Sequence, residues 1–282
     1  STLDGTLFPY TTLFRSEGDP FYGQEPQFNY TIHDFTVETD TVLENNSGLM
    51  WQKETPSTYA SCTKGTPAGS ECSLTEAVDY CANLELGGYD KWSLPQILEF
   101  NPVMNYAKSA PLIFDVFTAS VSGNYLSGGI VGAMRVSLIN GTVTQSTSFG
   151  KVKCVRSEFP YVDKTIFQSG DLFINILDPV VPKTVFWQYD SAQIEVDWEE
   201  ALSYCSNVSE GGISGFRLPT VVELQSFAFE SLYTVPPLVG SGTFWTSTTV
   251  HATPVSAYTV DFATGNVSMT GKTGTNFVIC VK

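Results

Sequence analysis

Apolar and polar positions alternate in one rhythm, break into another, and then repeat the sequence of changes. From Phe28, Tyr30, Ile32 and Phe35, then Val37, Val42 and Leu43, alternate as strands do. Asn45-Asn46-Ser47-Gly48 is a turn, and Leu49–Gln52 returns as a strand. The period then becomes helical, with Leu74, Ala77, Val78, Cys81 and Leu84 on one stripe. Trp198, Ala201, Leu202, Cys205 and Val208 make the same stripe later. Ser73 and Glu76, like Asp197 and Glu200, have the spacing of a capping box at each helix start. Gly87-Gly88 and Gly211-Gly212 are read as helix ends, and Pro95 and Pro219 as the starts of second helices. Thr220 and Glu223 form a further capping box. Short strands follow at Thr243–Thr248, Ala257–Phe262, Asn266–Met269 and Asn276–Val281, with a tight turn at Thr264-Gly265.

The two blocks align without a gap. Ser73–Phe100 and Asp197–Phe227 share Glu-Ala-x-x-Tyr-Cys, Gly-Gly, Leu-Pro and a later glutamate, each 124 positions apart, as 205 minus 81 and 219 minus 95 both give. The chain is therefore a tandem duplication. Its expected divisions are an arm over 1–27, a first domain over 28–157 and a second over 158–282. A short boundary near Ser157–Val162 implies that the halves pack together. Thr6–Ser16 resembles a translated sequencing adapter, so residues 1–16 are set aside as an artefact. An arm in that place would be able to pair with a neighbour's sheet edge.

Six cysteines follow the same symmetry. Cys81 with Cys154 and Cys205 with Cys280 each join a helix to a late Val-basic pair, and Cys62 with Cys72 closes a loop found only in the first copy. Each long loop is worth about 4 kcal/mol in the chain-entropy account. Zinc binding would want a Cys-x-x-Cys that the chain lacks. Disulfides imply a secreted or cell-surface location.

Composition narrows the partners. At 282 residues and 42% hydrophobic content, the chain can bury two ordinary cores. Its net charge of −15 argues against nucleic acid, and no apolar run is long enough for membrane insertion.

The order DTVxxNxSGLMWQ, EAxxYC, GG, WxLP and a final CVR resembles the domain of unknown function at the C-terminus of the Legionella collagen-like adhesin. That family is related to the C-type-lectin-like and formylglycine-generating-enzyme folds. The family's WRLP becomes Trp92-Ser93-Leu94-Pro95 and Phe216-Arg217-Leu218-Pro219. Its WSST survives at Trp245–Thr248 and is read as decayed to Tyr125-Leu126-Ser127. The resemblance implies an α+β fold: two C-type-lectin-like domains, each with two helices against a small twisted antiparallel sheet and a helix-to-last-strand disulfide.

Catalysis finds little footing. His33 and His251 have no recognisable partners and do not recur between copies, and every cysteine has a disulfide partner. The formylglycine-generating activity, which needs free cysteines, is not carried over. Glu76, Glu99, Glu200 and Glu223 read as helix caps rather than acid/base pairs. No cofactor is expected. Calcium is the one metal to weigh, through Asp40, Glu44, Asn45 and Asn46, but a hairpin turn wants the same residues. Lectin calcium signatures are missing. Trp51 and Trp187 read as core, leaving Trp245 and Ser247 as the expected ligand position. Glycan acceptors would be Asn29, Asn45, Asn140, Asn207 and Asn266. The expected function is a non-catalytic extracellular subunit that associates with itself in a filament or surface layer; the alternative is a glycan- or protein-binding adhesin.

Overall fold

The computed structural model describes residues 34–45, 47–117, 123–128, 133–146, 149–157, 166–169, 172–175, 185–188, 194–231 and 241–282. The expected arm, the opening strand residues Phe28 to Ile32, His33, Asn29, Asn46 and the 158–162 boundary lie outside these residues.

The first repeat begins with the antiparallel strands β1 (Phe35–Val37), β2 (Thr41–Glu44) and β3 (Leu49–Gln52). Helix α1 (Leu74–Ala82) follows, then a 3-10 helix (Ile97–Val103). Strands β4 (Asn124–Ser127), β5 (Met134–Ser137) and β6 (Val143–Gln145) form a meander, and β7 (Val155–Ser157) returns to pair with β3. The second repeat runs through β8 (Ile166–Ser169), β9 (Leu172–Asn175), β10 (Val185–Gln188) and β11 (Glu195–Val196) to helix α2 (Trp198–Asn207). A small hairpin of β12 (Ser209–Glu210) and β13 (Ile213–Ser214) leads to helix α3 (Val221–Ser231). Strands β14 (Thr243–Thr249), β15 (Ser256–Asp261), β16 (Val267–Gly271) and β17 (Asn276–Phe277) complete it.

Local chemistry explains the helix starts. Ser73 Oγ accepts the Glu76 N–H at 3.4 Å while Glu76 Oε2 accepts the Ser73 N–H at 2.7 Å. Asp197 and Glu200 make the same exchange at 2.9 and 3.2 Å. The paired glycines do different work from that expected. Both helices have already ended when Gly87-Gly88 and Gly211-Gly212 arrive, and all four residues have positive φ. They are the central pairs of two-residue hairpins, Leu86 opposite Tyr89 and Glu210 opposite Ile213, where two successive positive φ values match strand twist. The second helix of the first repeat is narrowed to 3-10 form, with Pro102 inside it; the matching position in α3 is Ser226.

The expectation of two separate C-type-lectin-like domains, each with its own small sheet, is overturned by the strand order. One eight-stranded sheet runs β11-β17-β14-β15-β16-β6-β5-β4 and takes strands from both repeats, joined where β16 pairs with β6. Separate four-stranded (β1-β2-β3-β7) and three-stranded (β10-β9-β8) sheets carry the opening segment of each repeat. Two open edges met and paired, which satisfies backbone groups that two isolated sheets would leave bare. Alternation along the joined sheet then assigns neighbours to different cores. Tyr125, Val143, Phe244, Tyr258 and Val267 face one shared core with the 3-10 helix and α3, together with Trp51 and Trp187. Leu126 faces the α1 core around Cys81–Cys154, and Trp245 and Ala257 face the α2 core around Cys205–Cys280.

Candidate functional site

The acidic side chains near the helix starts are committed to the backbone. Glu76 also accepts Thr63 Oγ1 at 2.7 Å, and these hydrogen bonds, that of Thr63 foremost, lower its pKa to about 2. Glu99 Oε2 accepts the Gln96 N–H at 2.7 Å. Burial still raises the Glu99 pKa, because that one bond does not offset desolvation. Glu223 Oε2 accepts the Thr220 N–H at 2.8 Å, and Thr220 Oγ1 accepts the Glu223 N–H at 3.2 Å. Burial pushes the Glu223 carboxyl up, but the guanidinium of Arg217 and the Thr220 bonds outweigh it and hold the group below the usual range. All four sit at the turn that opens a helix, as their spacing implied.

The expected ligand position is interior. Trp245 is fully buried, and its indole N–H donates to the Val196 carbonyl at 2.8 Å. Ser247 is 3% exposed, with its backbone N–H and its hydroxyl both donating to the Pro219 carbonyl. Neither offers a face to a ligand at the surface. The comparison with Tyr125 also shifts by one residue. Tyr125 and Phe244 make the matching parallel bridges, to Lys151 and Phe277, so Leu126 holds the place of Trp245. Trp51 and Trp187 are core residues; Trp187 stacks on Phe227 with centroids 4.2 Å apart, and Trp51 lies against Phe100 at 5.3 Å.

Oxygens of Glu44, Asn45 and Asp40, the last through its backbone carbonyl, are engaged within the β1–β3 sheet and its turn. Glu44 Oε2 accepts the Ser47 N–H at 2.7 Å, Asn45 Oδ1 accepts Thr36 Oγ1 at 3.1 Å, and the Asp40 carbonyl accepts the Lys53 N–H. Among the described residues no group of three His, Cys, Asp or Glu side chains is arranged to hold a metal. His251 lies in the turn after β14. Of the sequon asparagines, Asn45 and Asn207 are exposed, Asn140 Oδ1 accepts from Thr142, and Asn266 Oδ1 accepts the Gln145 N–H across the repeats at 2.7 Å.

Two features escape the sequence reading. Lys153 is fully buried, its Nζ bonded to the Lys53 carbonyl at 3.1 Å and 4.9 Å from the Phe117 ring centroid. Burial lowers its pKa to about 7 against the opposing pull of Glu54. The second is Tyr59, whose hydroxyl donates to the Val152 carbonyl at 3.1 Å and accepts the Val152 N–H at 2.9 Å. It plugs the Cys62–Cys72 loop into the core, while Cys72 pairs with Gly150 as Val196 of β11 pairs with Asn276. The signal for Tyr59 was a lone aromatic in a Gly/Pro/Ser-rich loop; a single lysine beside Cys154 gave none.

Three disulfides, Cys62–Cys72, Cys81–Cys154 and Cys205–Cys280, fit a secreted or surface protein. Among the described residues no helix is long and apolar enough to cross a membrane. No curated protein sequence matches the chain. The family model of the Lcl C-terminal domain matches it twice, over residues 40–156 and 182–282, the two segments that contribute strands to the joined sheet. With the helix block, the hairpin glycines and a disulfide from the first helix to the closing segment present in each, the chain belongs to the Lcl C-terminal domain family and carries that domain in tandem.

Proposed function

We propose that the chain is a non-catalytic extracellular structural subunit, a rigid double block that associates with further copies of itself in a filament or surface layer. The observation that carries this reading is the fusion of the two repeats into one sheet over one shared core. Such a block transmits load without an internal hinge, and each repeat is stapled by a disulfide of long span. The carboxylates weighed as acid and base are engaged in helix capping, which supports a role without catalysis. Strand edges at the outer sheets, with Val37 of β1 exposed, suit pairing with another copy.

A second reading is favoured by the family match: the Lcl C-terminal domain points to adhesion, through a glycan or a partner protein bound on the loops. Electron microscopy of the natively secreted protein, with and without a calcium chelator, separates the two. Regular filaments or sheets are expected for the structural subunit, with chelator sensitivity reporting a metal in the assembly. Isolated particles that bind a defined sugar on a glycan array would overturn it in favour of adhesion.

A further inference from the structure

The residues that join the repeats are each other's counterparts. Val143 of β6 lies directly opposite Val267 of β16 in an antiparallel pair, and the two stand 124 positions apart, the offset that aligns the repeats. A strand that meets its own equivalent at the equivalent residue has a two-fold axis through that pair, the mark of an isologous interface. The next layer obeys the same axis. The 3-10 helix beginning at Ile97 packs against α3, which begins at Val221, again 124 positions on. Gly141 and Gly265, at φ +72° and +70°, turn the chain beside the axis, each closing against a ring of its own repeat, Tyr106 and Phe229.

Chain connectivity alone gives no reason for like to meet like, since neighbouring domains ordinarily dock through unlike surfaces. We propose that this junction is a homotypic module interface: the β6 edge and the core face beside it are built to receive the same surface of a second Lcl-type module. In this chain the duplication closes that pair within one molecule. The contact has since diverged in detail, because the Tyr258 hydroxyl donates to the Asn140 carbonyl at 2.8 Å and the Gln145 N–H to Asn266 without symmetric mates. The proposal goes beyond the subunit reading and holds whether or not the chain polymerises. It also means that the β6 and β16 edges meet one another here, so contacts between chains use other surfaces.

The test cuts the full chain between its repeats, at a specific protease site inserted after Glu158. The nicked protein is expected to remain one particle of intact mass at about micromolar concentration in native mass spectrometry, and Val143→Asp or Val267→Asp to abolish that species. Mixed nicked samples of ordinary and isotope-labelled chain are expected to yield hybrid masses, because the surface accepts a module from another molecule. Either aspartate could simply unfold its repeat, so a Val143→Cys, Val267→Cys pair supplies a second measure. Opposed Cα atoms about 4.5–5.5 Å apart fall within disulfide reach, and the halves are expected to stay joined on a non-reducing denaturing gel. Separation of the nicked wild type, aspartate variants that remain paired, parental masses alone or a cysteine pair that does not cross-link would each overturn the proposal.

Discussion

Arg217 and Glu223 face each other in a two-pronged ion pair at the opening of α3, with Nη1 to Oε2 at 2.8 Å and Nη2 to Oε1 at 2.6 Å. The carboxylate side chain is 8% exposed and the guanidinium 35%. Removing the arginine strands a buried charge, which costs more than the pair contributes. Arg217→Ala is expected to destabilise the protein by about 2–3 kcal/mol at neutral pH, below the usual cost for a fully buried pair because the arginine is partly solvated. The folded-state pKa of Glu223 is depressed, so its contribution is present above the ordinary glutamate range and is lost as pH falls through the folded value. Denaturant titrations at neutral and acidic pH should show the gap between wild type and variant closing in acid.

The first repeat holds the natural counterpart of that experiment. Ser93 stands where Arg217 stands in the second repeat, and Glu99 where Glu223 does, each 124 positions earlier. Glu99 keeps its backbone bond to Gln96 but has no cation, and burial raises its pKa. A raised carboxyl pKa means that stability falls as pH climbs from the unfolded value through the folded one. Ser93→Arg, at an exposed position, should add about 1 kcal/mol at neutral pH and bring the Glu99 carboxyl down when followed by NMR titration. An unchanged Glu99 titration would show that the arginine had not found it.

Lys153 makes the opposite demand. The place it fills corresponds to buried Ile279 in the second repeat, by the 126-residue offset of Cys154 and Cys280. Its pKa is lowered by burial to about 7 from an ordinary value of 10.5. Between those values the unfolded chain binds the proton and the folded chain does not, so this residue makes stability rise with pH across that window. Lys153→Met should stabilise the protein by about 1–3 kcal/mol at pH 6 and flatten the rise between pH 7 and pH 10. Thermal melts across that range would measure both effects, and an unaltered slope would assign the proton uptake elsewhere.

These three positions show where sequence reading reaches its limit. Capping boxes are local, so Ser73–Glu76, Asp197–Glu200 and Thr220–Glu223 could be placed from spacing alone. Paired glycines announce positive φ but not its setting, and the same dipeptide serves a helix end or a hairpin, as Gly87-Gly88 turned out to do. The joining of the repeats rests on one residue pair, Val143 with Val267, and nothing in a strand's alternation names the edge it will meet. Trp245 looked like a ligand residue because its counterpart seemed to have decayed. In the fold Leu126 fills that interior place, and a one-residue slip between short strands is invisible without the register.

The disulfides should rank by the chain they close. Cys81–Cys154 and Cys205–Cys280 span 73 and 75 residues, whereas Cys62–Cys72 spans 10. On loop entropy alone, replacing either long pair by alanine should cost about 4 kcal/mol and the short pair about 2–3 kcal/mol. Cys62 is half-buried while both long-span pairs are fully buried, so under mild reductant the short bridge should open first, as timed alkylation with mass spectrometry would reveal. A Cys62→Ala, Cys72→Ala variant as damaging as a long-span one would break the entropy ranking. Its cause would then be sought in Tyr59, whose hydroxyl bonds on both sides of Val152 depend on the loop being held shut. Tyr59→Phe decides between the two: it leaves the bridge intact, and a loss matching the cysteine variant would place the stabilising contact in that hydroxyl rather than in the closed loop.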